Sequence, residues 1–150
     1  MSSWSQVVRN GNSDKIKKSL SENLYKPKEL SKILDLACQN DQNDIINLIM
    51  DKIKVNRTKN YDYEHIIKIA IKYDKSEIIM VLDNLKINVY GKNNSTLNLA
   101  CEAGSLNIIK YIITYNKNII GGEGLLNIYI NNNFNVRSFI NRILDSTIEN

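Results

Sequence analysis

The chain has 150 residues, 43% of them apolar and 24% charged, which is enough for one core burying roughly 70% of the surface that the unfolded chain exposes. No apolar run approaches the roughly 18 residues of a membrane span, the interspersed charge argues against wholesale disorder, and six glycines with one proline are too few turn residues for a short-stranded all-β protein. The net charge of +4 belongs to residues 1–32, where Arg9, Lys15, Lys17, Lys18, Lys26, Lys28 and Lys32 outnumber Asp14, Glu22 and Glu29. The rest is balanced, so the basicity marks one end and not a whole surface, and dedicated nucleic-acid binding is disfavoured.

The N-terminus lacks the apolar stretch of a secretory signal, and the expectation is a cytoplasmic protein. Its first apolar pattern is Val7-Val8 before Gly11, followed by Ile16 and Leu20. A repeat then sets in. Leu34-Asp-Leu-Ala-Cys-Gln-Asn-Asp41 returns as Leu97-Asn-Leu-Ala-Cys-Glu-Ala-Gly104, with Ile67-Lys-Ile-Ala-Ile-Lys-Tyr-Asp74 between them, so that Ala37, Ala70 and Ala100 stand 33 and then 30 residues apart.

Each copy continues alike. The pairs Ile45/Ile46, Ile78/Ile79 and Ile108/Ile109 are followed by Ile49, Leu82 and Ile112, an apolar stripe at helical spacing that predicts an amphipathic second helix. The alanines lie midway along short first helices, where a neighbouring helix must approach closely. Asp41, Asp74 and Gly104 separate the two helices of each copy, and these residue types tolerate the left-handed backbone that a tight helix-helix turn demands. Lys54-Val-Asn56, Lys86-Ile-Asn88 and Asn118 before Ile119 close the copies. Polar stretches at 57–64, 89–95 and 119–124 then read as loops leading to the next first helix.

Helix, tight turn, helix, Val-Asn and a projecting loop at a period near 33 resemble the ankyrin repeat, most clearly across Leu97–Gly104 and Leu106–Ile113. The resemblance implies an all-α solenoid of stacked helix-turn-helix units forming a single domain: an N-terminal cap at 1–28, repeats at 29–61, 62–92 and 93–122, and a C-terminal cap at 123–150. Departures are plain. The Thr-Pro-Leu-His start is missing, with Ser95-Thr-Leu-Asn98 the nearest match, and the second alanine of the family's pair is Cys38, Ile71 or Cys101. Atypical ends are expected of a solenoid.

What the family implies is a monomeric, non-enzymatic module binding another protein along its loop tips and concave face, with no cofactor and no metal. The positions carried over are the loops and the pair before each turn residue, Gln39/Asn40, Lys72/Tyr73 and Glu102/Ala103. Tyr25, Tyr61, Tyr63 and Tyr90, with Lys26, Lys28, Arg57, Lys59 and Lys92 beside them, have the composition of an interaction hot spot, and equally that of rings stacked from loop to loop as structural mortar. The expected contact set is therefore Tyr25, Lys26, Lys28, Arg57, Lys59, Tyr61, Tyr63, Lys72, Tyr73, Tyr90, Lys92 and Glu102. The abundance of Ile, Asn, Lys and Tyr suggests an A/T-rich genome, such as that of a large DNA virus, an intracellular bacterium or a protist, and the favoured expectation is a viral or parasite factor with a host protein as partner. The alternative is weak attachment to nucleic acid or an anionic surface through residues 9–32.

Other constellations point to ordinary structure. Cys38 and Cys101 hold equivalent places two repeats apart, which at about 8–10 Å per packed helix puts them beyond disulfide reach, as buried small filler. His65 is the only histidine, so no histidine pair can ligate a metal or build a triad, and its expected role is a hydrogen bond to local backbone. Gly121-Gly-Glu-Gly124 lacks the Lys-Ser/Thr and the strand context of a phosphate loop.

Overall fold

The computed structural model describes residues 4–22, 25–56, 60–92 and 95–116, and these fold entirely as helices, turns and loops, with no strand among them. The helices are α1 (Trp4–Arg9), α2 (Ser13–Ser21), α3 (Pro27–Gln39), α4 (Asn43–Val55), α5 (Tyr63–Tyr73), α6 (Ser76–Asn84), α7 (Ser95–Ala103) and α8 (Leu106–Tyr115). None of the described helices is long and apolar enough to cross a membrane. The expected C-terminal cap at 123–150 and the Gly121–Gly124 loop lie outside the described residues.

One backbone turn joins the helices pairwise into four hairpins. Gly11, Asp41, Asp74 and Gly104 have φ of 64°, 52°, 55° and 71°, the left-handed conformation that the residue types led one to expect. In each case the turn residue donates its N–H to a carbonyl three residues back: Val8, Cys38, Ile71 and Cys101, at 2.9, 3.3, 3.3 and 3.2 Å. The next residue donates five back, to Val7, Ala37, Ala70 and Ala100, at 3.1, 2.9, 2.8 and 2.9 Å. This is the Schellman arrangement, in which two carbonyls orphaned at the helix end are satisfied by one reversal. The repeated alanines are thus anchors of the turn as well as close-packing positions, and all three are fully buried.

The second helices bury the stripe that defined them. Ile45, Ile46 and Ile49 on α4, Ile78, Ile79 and Leu82 on α6, and Ile108, Ile109 and Ile112 on α8 are all at most 1% exposed. Each such side chain contributes roughly 1.5–3 kcal/mol by leaving water. Val7, Val8, Ile16 and Leu20 are buried in the same way on α1 and α2.

The described chain forms two compact units that divide within α5, between Ile69 and Ala70. In the first, α1 packs on α3 and α2 on α4, so that like helices of neighbouring hairpins abut. In the second, α6 packs on α8 and α7 on α8. Two side chains stitch the hairpins there. Asp74 accepts hydrogen bonds from the backbone N–H of Asn107 (3.2 Å) and Ile108 (3.1 Å) and from Asn107 Nδ2 (2.9 Å), capping α8 from the preceding turn. The buried Ser105 hydroxyl donates to the Ile71 carbonyl near the end of α5.

The closing markers differ from one another. Asn56 ends α4, but α6 stops at Asn84, and Lys86 (φ 65°) makes a further left-handed turn before Ile87. Its N–H reaches the Asp83 carbonyl and that of Ile87 the Leu82 carbonyl, at 2.9 and 3.1 Å, the same Schellman pair at the far end of the helix.

Candidate interaction surfaces

Local capping places the start of α5 and with it several of the expected contact residues. The Asp62 carboxylate accepts the His65 backbone N–H at 3.1 Å, satisfying an orphan donor of the first turn. His65 is exposed, and the local hydrogen bond expected of its ring is made instead by its main chain. Burial then sorts the aromatic set. Tyr25 and Tyr61 are only 5% and 4% exposed, so, contrary to the expectation that they are contact residues, neither can present a ring to a partner. The reason is that each precedes a first helix and folds back into the core: Tyr61 meets Tyr63 edge to face at 6.0 Å, while burial, aided by the charge of Glu29 and opposed by the hydrogen bond with Ser19, raises the Tyr25 pKa above the ordinary phenol range. The Tyr61 hydroxyl has no hydrogen-bond partner among the described residues, and burial raises its pKa as well.

The other expected positions among the described residues keep some access to solvent. Lys26, Lys28, Lys72, Lys92 and Glu102 are exposed, and Tyr63, Tyr73 and Tyr90 are half-buried. Lys72 Nζ lies 5.0 Å from the centre of the Tyr73 ring, a cation-π pair on the last turn of α5. Arg57 and Lys59 lie outside the described residues. In the first unit, Arg9, Lys15, Lys17, Lys18, Lys26, Lys28 and Lys32 are all exposed, and an open groove of about 270 Å³ between α2 and α4 is lined by Asp14, Lys17, Asp44 and Asp51.

Tyr90 belongs to a cluster that the sequence did not announce. Asp83 Oδ2 accepts the hydroxyls of Tyr90 (3.0 Å) and Tyr111 (2.7 Å), joining α6, the following loop and α8. Tyr115, one turn beyond Tyr111, stacks on it at 4.7 Å between ring centres with a 41° tilt and is 61% exposed. Burial and then the Asp83 carboxylate push the Tyr90 pKa up to about 12, and the same causes raise that of Tyr111 further, so both hydroxyls are donors at neutral pH. The partners are 7 and 28 residues apart, and only the i, i+4 spacing of Tyr111 and Tyr115 was there to be noticed.

The two cysteines are buried, and burial followed by the Glu102 charge pushes the Cys101 thiol up to about 11, which leaves it unreactive at neutral pH. Among the described residues no three His, Cys, Asp or Glu side chains converge to hold a metal ion. Compared with protein-family models, curated proteins and solved structures, the chain matches none.

Proposed function

We propose that this chain is a non-enzymatic protein-binding module of the ankyrin type, docking a partner along its first helices and the loops before them. The observation that supports the reading is the single turn geometry recurring at Gly11, Asp41, Asp74 and Gly104, at spacings of 30, 33 and 30 residues. Repeats that cannot bury their apolar side alone stack on one another and leave loop tips and first helices for binding. The A/T-biased composition favours a host protein as the partner of a viral or parasite factor. The test is capture of a partner by the full chain and by variants carrying Lys26→Glu, Lys28→Glu, Lys72→Glu or Lys92→Glu. The expected result is a loss of about tenfold or more in at least one variant with an unchanged helical spectrum. Capture undiminished by all four overturns the assignment of the binding face.

A second reading rests on the exposure of all seven basic side chains between Arg9 and Lys32. It gives the chain a sequence-blind affinity for nucleic acid or an anionic surface. Retention on heparin or duplex DNA that disappears by about 200 mM salt supports it, and absence of retention at low salt removes it.

A further inference from the structure

Asp83 stands in the last turn of α6, where the helix dipole already concentrates negative charge and where a basic residue ordinarily compensates it. No basic residue occupies the last turn of α6 or of α8. The carboxylate is half-buried, and Oδ2 is taken up by two tyrosine hydroxyls while Oδ1 accepts nothing among the described residues. Lys86, three residues on, makes no ion pair with it. Ion pairs elsewhere among the described residues include Lys54 with Asp51 and Lys68 with Glu64. A carboxylate held by two tyrosine hydroxyls, at a helix end whose last turn has no basic residue, with the exposed Tyr115 ring stacked on one of those two tyrosines, is the complement of a flat cationic group.

We infer that the cluster of Asp83, Tyr90, Tyr111 and Tyr115 is a docking point for an arginine side chain of a partner protein. The guanidinium donates to Asp83 Oδ1 and lays its plane on the open face of Tyr115, a combination of fork and stack that the compact ammonium of lysine does not provide. Tyr90 and Tyr111 fix the carboxylate and do not themselves bind the cation. The inference rests on the protein-binding reading and adds the chemistry of one contact to it.

The test is an NMR titration of the full chain, carbon-13 labelled at tyrosine, with Nα-acetyl-arginine methylamide as probe and the neutral citrulline analogue as control. Saturable shifts of the Tyr111 and Tyr115 ring signals with the arginine probe alone are expected. The affinity should fall about tenfold in Asp83→Asn, which still accepts the tyrosine hydroxyls, and by a smaller factor in Tyr115→Ala, whose exposed ring is dispensable to the core. No saturable shift, equal shifts with the citrulline analogue or with Nα-acetyl-lysine methylamide, or undiminished binding in Asp83→Asn overturns the inference. Should Lys28→Glu or Lys72→Glu abolish partner capture while the arginine probe leaves the rings unmoved, the protein-binding reading stands and this contact falls.

Discussion

At corresponding places in the two units, a turn residue meets the hairpin that follows it. In the first unit the turn residue is Gly11, which has no side chain, and the amide of Gln42 lies against it: a Cβ there would sit 3.2 Å from Gln42 Oε1. In the second it is Asp74, whose carboxylate crosses to the start of α8 and holds three donors, while Ser105, at the place equivalent to Gln42, ties back to α5. The backbone of the two turns is the same. Turn geometry therefore fixes the hairpin, and the side chain at the left-handed position decides whether the next hairpin is held by packing or by polar bonds. The ends of the second helices differ as well: Lys18 on α2 and Lys52 and Lys54 on α4 face the negative pole of the helix in the first unit, where the second places Asp83.

The largest effect is expected where the units agree. Ile46→Ala and Ile79→Ala remove equivalent side chains that are 1% and 0% exposed, and each should cost about 2–5 kcal/mol through lost burial and the cavity left behind. Urea unfolding followed by circular dichroism measures both. A loss for one variant and none for the other would mean that the two stripes are not sealed alike.

Next comes the stitch that separates them. Asp74→Gly keeps the left-handed turn and deletes the cap, making the second unit resemble the first, and should cost about 1 kcal/mol. Asp74→Ala loses the cap and in addition strains the φ of 55°, and should cost about 1–2 kcal/mol more than the glycine variant. Equal stability of Asp74→Gly and wild type would show that the carboxylate's bonds to Asn107 and Ile108 are no stronger than those it makes to water.

These contrasts also measure how far the sequence could be read. The hairpins were legible because their determinants are local: a stripe at helical spacing, an alanine, and four residues later an Asp or Gly able to take a positive φ. Lys86 gave no such signal, since lysine has no preference for that conformation, and only the backbone bonds of Ile87 and Lys86 reveal the second Schellman turn at the end of α6. The exposed lysines were legible from charge, whereas the tyrosines stood equally between contact and structural mortar, and only the packing of the hairpins around them draws Tyr25 and Tyr61 inward. The cap from Asp74 and the cluster at Asp83 were hidden for a third reason, as they join residues that meet only once the hairpins are assembled.

A smaller effect of opposite sign follows for Lys86. With φ at 65° and an exposed side chain, Lys86→Gly relieves the left-handed strain while adding freedom to the unfolded chain, and should stabilise by about 0.5 kcal/mol. Thermal unfolding of the two proteins side by side reads the difference, and a destabilised glycine variant would show that the lysine stem contributes packing that offsets its strain.

The finest distinction between the units is in the titration of their tyrosines. Tyr90 ionises in the fold near 12, against about 10 when unfolded, so the neutral form is favoured by folding. The stability this contributes is present in full below pH 10 and is lost as the pH rises through 12, because the unfolded chain releases the proton first. Asp83→Asn removes the carboxylate charge but not the burial, which is the larger cause, so Tyr90 and Tyr111 should still titrate late, though earlier than in the wild type. Tyr25 and Tyr61 have no part in that cluster, and their late ionisation should not move with the substitution. Ultraviolet difference titration of the two proteins separates the pairs, and identical curves would mean that the carboxylate does not govern the hydroxyls it accepts.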